Sequence, residues 1–211
     1  MKKSRGIPAP AVKRLSLYLR QLETAQAQGR RTMSSRQLGE GLNISDAQVR
    51  KDFAYFGHFG HPGIGYRVGD VIKRLRRILG TDKKWNVLLV GAGNLGRALL
   101  SYRGFSKRGF NIVAVFDRDG RVIGRTVGSS RRLTVQPMEA MPRVVKKKGV
   151  QLGILAVPAD DAPEVARQMN EAGVRGILNF APVAIQNGDS AVSAVDLSVH
   201  LEQLSFRLST G

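Results

Sequence analysis

There is no cysteine in this chain of 211 residues. That excludes a disulfide framework, a thiolate metal site, a cysteine nucleophile and an iron–sulfur cluster. Histidine is scarce as well: His58, His61 and His200 are the only three. With no cysteine to help and the third histidine far along the chain, His58 and His61 do not read as zinc ligands, and no metal is expected. Long apolar runs are also missing. Nothing approaches the roughly 20 apolar residues of a membrane span, and no apolar stretch of about 7–15 residues follows the basic N-terminus as in a secretory signal. The expectation is a soluble cytoplasmic protein. Acid is the last shortage: 16 Asp and Glu face 34 Lys and Arg, a net charge of +18. Such a balance favours a polyanionic partner, although a well-solvated basic surface would show the same totals.

The charge is uneven. Residues 1–80 hold 16 cations against 5 acids, and residues 81–211 hold 18 against 11. After the polar seam at Gly80–Lys84 come the apolar runs Trp85–Val90, Ile112–Phe116, Leu152–Val157 and Ile177–Phe180. Short continuous apolar runs alternating with helix-length segments predict parallel strands buried on both faces. The first segment reads instead as short helices. Two domains are expected, 1–80 and 81–196, followed by a terminal helix over 197–211.

A first helix is expected from about Ala11 to Gln28, with Leu15, Leu19 and Leu22 on its buried stripe. Ser34 with Gln37, and Ser45 with Gln48, each have capping-box spacing and open two short helices separated by a turn at Asn43-Ile44. This is a helix–turn–helix. On a helical wheel Val49, Phe53 and Phe56 face inward, while Ala47, Lys51, Ala54 and Tyr55 face out with Gln48 and Arg50 on the flanks. Arginine can pair with guanine and glutamine with adenine, so this face suits a DNA major groove. A solvated face of a protein–protein module is the plainer alternative. Gly57 to Arg67, rich in glycine and aromatics, reads as the hairpin wing of a winged helix, bringing His61, Gly63 and Tyr66 to DNA. Beyond it, Val71, Ile72, Leu75, Ile78 and Leu79 form one apolar stripe opposite Lys73, Arg74, Arg76 and Arg77.

In the second segment the run ending at Val90 leads into Gly91-Ala92-Gly93-Asn94-Leu95-Gly96, and a helix follows. This is G-x-G-x-x-G in strand–turn–helix context, the dinucleotide fingerprint of a doubly wound sheet. Asp117 closes the next strand, 21 residues beyond Gly96, where a carboxylate would hold the adenosine ribose hydroxyls. It favours NAD(H), although Arg118 and Arg121 beside it could accept the 2′-phosphate of NADP(H). Pro158 and Asn179, at later strand ends, would line the same crevice; ordinary loop chemistry is their plainer account. Leu197, Leu201, Leu204 and Leu208 leave the terminal helix with an apolar face, for its own domain or a partner subunit. The pairing Tyr-x-x-x-Lys of some NAD enzymes is absent, since Lys107 follows Tyr102 one residue too late. No substrate domain is evident. Binding without turnover is expected, and an NAD-dependent oxidoreductase with an accessory nucleic-acid domain is the alternative. A nucleoid protein without sequence preference is a third.

Taken together, these motifs resemble the Rex family of bacterial redox-sensing transcriptional repressors. The blocks that carry the likeness are Ala47–Asp52, Tyr55–Gly57, Gly63–Tyr66, Val90–Gly96, Phe116-Asp117, Gly176–Pro182 and Val195–Leu197, in order through both segments. The resemblance implies a homodimer with a winged helix and a Rossmann-like NAD(H) domain in each subunit, and a last helix exchanged between subunits. It also implies Tyr102 near the nicotinamide and Arg20 paired with Asp196 of the other subunit. Operator DNA would be bound by the apo or NAD⁺ form and released by NADH. The chain departs from the family pattern at His61-Pro62, where a basic wing residue is usual, at Ala54, where serine is common, and in the basic loop 128–132.

Overall fold

The computed structural model describes residues 7–59, 65–128, 132–186 and 190–210. The chain divides into two compact units between Lys83 and Lys84.

The first unit opens with α1 (Ala9–Ala27), which carries Pro10 in its first turn, where a missing N–H costs nothing. Ala11, Leu15, Tyr18, Leu19, Leu22 and Ala25 form its buried face. Strand β1 (Thr32–Met33) follows, then α2 (Ser35–Glu40), α3 (Asp46–Ala54), β2 (Tyr66–Arg67) and α4 (Val68–Ile78). The antiparallel pair β1–β2 sets Met33 opposite Tyr66. A single apolar cluster joins α1, α3 and α4 through Leu15, Leu22, Val49, Phe53, Val71 and Leu75. The inward face expected of α3 is observed: Val49 and Phe53 are buried and Phe56 packs against the cluster. The tip of the expected wing, including His61 and Gly63, lies outside the described residues.

One buried residue of α3 is charged. Asp52 is fully buried, and it accepts hydrogen bonds from Arg14 Nε at 2.6 Å and Nη2 at 2.7 Å, Tyr18 Oη at 2.8 Å and Gln48 Nε2 at 2.8 Å. Burial pushes its pKa up, but the bonds from Arg14, Tyr18 and Gln48 outweigh that and hold the carboxyl below its usual range. Burial, together with donation to Asp52, raises the Tyr18 phenol.

The second unit builds one sheet. Its elements are β3 (Trp85–Val90), α5 (Asn94–Ser101), α6 (Arg103–Lys107), β4 (Phe110–Asp117), β5 (Thr126–Val127), β6 (Leu133–Pro137), α7 (Met141–Lys148), β7 (Leu152–Leu155), α8 (Ala162–Glu171), β8 (Gly176–Asn179), β9 (Ala191–Ala194) and α9 (Leu197–Ser209). The strand order is β5-β6-β4-β3-β7-β8-β9, parallel except for the β5–β6 pair. The chain departs from β3 to β4 on one side and later adds β7 on the other, so the carboxyl end of β3 is the topological switch point. The four apolar runs of the sequence became β3, β4, β7 and β8. The helix after β7 starts as a tight 3₁₀ turn at Ala159–Asp161 and is α-helical only from Ala162. Helix α9 is capped by Asp196, whose Oδ1 accepts from Ser198 N at 2.9 Å, and no residue of it is buried.

The Asp52 network sets the pH range of the first unit. A folded carboxyl with a depressed pKa contributes stability above the unfolded value near ~3.9, and that stability is lost as pH falls through the folded value. A raised phenol contributes stability below about 10, lost as pH rises through its folded value. Thermal unfolding followed by circular dichroism should show losses below about pH 4 and above about pH 10. Tyr18→Phe should abolish the alkaline limb and, by removing one donor to Asp52, shrink the acid limb in part.

Candidate functional site

At the end of β3 the backbone turns where side chains do not fit. Gly91 has φ +100°, and a Cβ there would stand 2.3 Å from Ala156 O. A Cβ on Gly96 would stand 1.8 Å from Gly91 O. Gly91 N donates to Phe116 O at 2.9 Å and Ala156 N to Val90 O at 2.9 Å, which ties the loop to the strands on both sides. Gly93 differs. A Cβ there meets no protein atom within 4 Å, and as N-cap of α5 it offers no side chain to the helix's first N–H groups. A loop held tightly by Gly91 and Gly96, with open space before Gly93 and free N–H groups behind, is a cradle for an anion. Gly93, Asn94 and Leu95 are exposed, while Ala92 is buried.

Asp117 faces this loop. Its Oδ2 accepts from Ala92 N at 2.7 Å and its Oδ1 from Asp119 N at 2.9 Å. Each oxygen keeps a lone pair, so the carboxylate can hold the loop and still accept from a hydroxyl pair. The neighbouring arginines are occupied. Arg118 pairs with Asp161, and Arg121 pairs with Asp119 at 2.8 Å, which holds the Asp119 carboxyl at about 2. Neither cation is aligned on Asp117. Tyr102, 61% exposed, meets the Phe105 ring edge-on at 5.1 Å. Pro158 is exposed just past β7. Asn179 is fully buried, and its amide is spent on its own loop: Nδ2 donates to Ala181 O at 3.1 Å and Val183 O at 2.9 Å, and Oδ1 accepts from Ala181 N at 2.9 Å. It shapes the chain after β8.

On the first unit, α3 presents Ala47, Arg50, Lys51, Ala54 and Tyr55 to solvent. Arg50 bridges to Asp46 at 2.7 Å and to Ser35 Oγ at 3.0 Å, which braces α3 against α2. The base of the wing is held by Arg74, which donates to the carbonyls of Phe56 and His58 and covers the Phe59 ring at 4.1 Å. Tyr66 is half-buried, edge-on to Phe53 at 5.1 Å. The motif Ser34-x-x-Gln37 closes as a full capping box. The second motif closes by half: Ser45 Oγ accepts from Gln48 N at 3.2 Å, but the Gln48 side chain turns to Asp52 instead of back to Ser45 N. Arg20 is exposed on α1, in the first unit, and Asp196 is half-buried before α9, in the second. Sequence reasoning gave Asp52 no place in this site. A polar residue three positions after Val49 reads as surface unless Arg14 and Tyr18 of α1 are known to face it.

Two family models match in sequence order: "Putative DNA-binding protein N-terminus" over residues 6–54 and "CoA binding domain" over residues 82–183. The redox-sensing transcriptional repressor Rex of Carboxydothermus hydrogenoformans is 46% identical over 203 residues, 96% of each chain. That of Pelotomaculum thermopropionicum is 48% identical over 207 residues, 98% of this chain and 96% of its own. The chain belongs to the Rex family of redox-sensing transcriptional repressors. Among solved structures of the Rex fold, RSP in complex with β-NAD⁺ and operator DNA is 34% identical with a TM-score of 0.90, covering 97% of this chain and 93% of that one. RSP in complex with β-NADH is 32% identical with a TM-score of 0.86, covering 97% and 95%. The Rex relatives are named as repressors and not as enzymes.

The glycine geometry separates two substitutions in this Rex chain. Gly96→Ala forces a carbon into the Gly91 carbonyl and should destabilise the second unit by about 1–3 kcal/mol or more, read as a lower Tm. Gly93→Ala meets no protein atom and should leave Tm nearly unchanged.

Proposed function

We propose that this chain is a cytoplasmic repressor that binds a palindromic operator as a homodimer and releases it when NADH occupies the second unit. The observation that carries the reading is the likeness over nearly the whole chain to RSP, solved with β-NAD⁺ and operator DNA together. The residues present fit both ligands. Gly91, Ala92, Gly93, Asn94, Leu95 and Gly96 form the pyrophosphate cradle, where backbone N–H groups meet the negative charge. Asp117 accepts from the ribose hydroxyls, and its carboxylate repels a 2′-phosphate, which selects NAD(H) over NADP(H). Tyr102, Pro158 and the loop shaped by Asn179 border the nicotinamide end. The bound dinucleotide supplies the redox state; no chemistry on it is required of the protein.

Gln48, Arg50, Lys51 and Tyr55 face the major groove, and the wing residues His61, Gly63 and Tyr66 reach beside it. Phosphate contacts from this basic unit set affinity, and base contacts set specificity. Helix α9 supports the dimer. Leu197, Leu201, Leu204 and Leu208 lie along one side of the helix and are all more than half exposed in the single chain, with Leu208 at 85%. An apolar face of that kind needs a cover, and a second copy supplies one. Arg20 of one subunit pairs with Asp196 of the other, which links the head of α9 to a DNA-binding unit.

A ligand moves such an equilibrium only through differential affinity, and the effect is mutual. Fluorescence anisotropy on operator DNA at fixed salt should show that saturating NADH weakens binding while NAD⁺ does not. Operator DNA should weaken NADH by the same factor. Gly93→Ala should keep operator affinity but lose the NADH response, and truncation after Asp196 should leave a monomer without it. Arg50→Ala and Lys51→Ala should each weaken operator binding roughly 5–150-fold. Operator affinity that ignores NADH would overturn the reading.

A further inference from the structure

The chain contains the motif Ser-x-x-Gln twice, each time at the start of a helix, and the two copies behave differently. In α2 the Gln37 side chain returns to the N-cap, accepting from Ser34 N at 2.8 Å. In α3 the Gln48 side chain instead donates through Nε2 to Asp52 Oδ1 at 2.8 Å. The sequence difference lies four residues on. Gly41 follows Gln37 at that distance and has no acceptor, while Asp52 follows Gln48 and sits one helical turn away on the same face. Asp52 therefore takes an amide that would otherwise cap the helix.

We infer that Asp52, though fully buried, sets the base preference of α3 by holding the side-chain amide of Gln48 in one orientation. The inference rests on the operator-binding reading above and deepens it. A carboxylate only accepts hydrogen bonds, so the end of the amide facing Asp52 must be the nitrogen; the flipped amide would set two acceptor oxygens against each other. Asp52 cannot swing away to allow the flip. Arg14 grips both its oxygens and Tyr18 donates to one of them. Its carboxyl stays ionised at neutral pH, below the usual carboxylate range.

The consequence is a count of donors. A free glutamine amide has one acceptor oxygen and two N–H donors. With one N–H committed to Asp52, Gln48 keeps one donor and one acceptor. Adenine offers its major-groove edge as one acceptor, N7, and one donor, the N6 amino group; guanine offers two acceptors, N7 and O6. The tethered amide matches adenine and can satisfy only half of guanine. Gln48 is half-buried in the first turn of α3, where a recognition helix meets base edges. Asp52 is thus a positioning residue for sequence reading.

The test is selection of bound sequences from randomised duplexes by the native chain, Gln48→Ala and Asp52→Asn, each in its full dimeric form. The native chain should prefer adenine at one position of each half-site. Gln48→Ala should lose that preference alone. Asp52→Asn either turns its N–H towards Gln48, against Arg14 Nη2, or keeps only a neutral oxygen there. Both loosen the grip on the amide nitrogen, so the variant should admit guanine at the same position and narrow adenine's advantage roughly tenfold. A merely structural role for Asp52 would weaken all sequences alike and leave their ranking unchanged. If Gln48→Ala alters the ranking and Asp52→Asn does not, the inference falls and the reading of α3 stands. If Gln48→Ala leaves the ranking unchanged, base reading by Gln48 itself falls. Should Asp52→Asn fail to fold, nuclear magnetic resonance on the native chain decides. A Gln48 side-chain amide proton protected from solvent exchange supports the tether, and exchange as fast as in exposed glutamines overturns it.

Discussion

A buried carboxylate has to be hydrogen-bonded to saturation, and the first unit is organised around that requirement. Moving an ion out of water costs several kcal/mol even after relaxation, and removing one partner of a buried pair costs about 3–5 kcal/mol. Asp52 satisfies the requirement with two donors from Arg14, one from Tyr18 and one from Gln48. The first two residues are on α1 and the third is on α3, so the relation between the helices is fixed by directional bonds. Leucine and valine side chains around them tolerate small slides; a bidentate guanidinium does not. Helix α4 adds apolar contacts to the same cluster, and it also has directional links: Arg76 pairs with Glu23 of α1 at 2.9 Å, and Arg74 donates to the carbonyls of Phe56 and His58.

In the second unit the governing constraint is steric. β3 ends where three stretches of backbone meet: the loop at Gly91, the carbonyl of Ala156 after β7 and the first turn of α5 at Gly96. Carbon side chains are excluded at two of these points, and the third glycine faces open space. Asp117 then completes the frame, since one oxygen binds the loop at Ala92 and the other its own turn at Asp119. One carboxylate thus organises each proposed ligand site, through side chains in the first unit and through backbone N–H groups in the second.

Much of this was legible in the sequence, for identifiable reasons. β3, β4, β7 and β8 are buried on both faces, so they appear as continuous apolar runs, and Gly91–Gly96 lies between such a run and a helix. The stripe of α1 and the inward face of α3 follow from helical spacing alone. β5 and β6 escaped notice because they are short and partly exposed, and their pairing is decided by the rest of the sheet. Asp52 escaped because burial of a polar residue depends on donors 34 and 38 residues away. The same holds for Arg118 and Asp161, 43 residues apart. The second capping box was misread for a local reason: its spacing is correct, but a stronger acceptor lies one turn further along. For Asn179, expected to line the dinucleotide crevice, the structure adds a second role, since its amide holds its own loop. Nothing in a strand-end asparagine distinguishes the two.

Helix α9 adds a consequence of another kind. Where a helix buries nothing within its own chain, its order depends on mass action, because association supplies the apolar contacts that offset its conformational entropy. The fraction of chains with an ordered α9 then rises with protomer concentration, and so does resistance to unfolding. On the proposed dimeric reading, occupancy of a two-fold operator becomes steeper than first order in the amount of protein made. In the proposed switch, the abundance of the chain is therefore a second input, acting on assembly while the nucleotide acts on the assembled form.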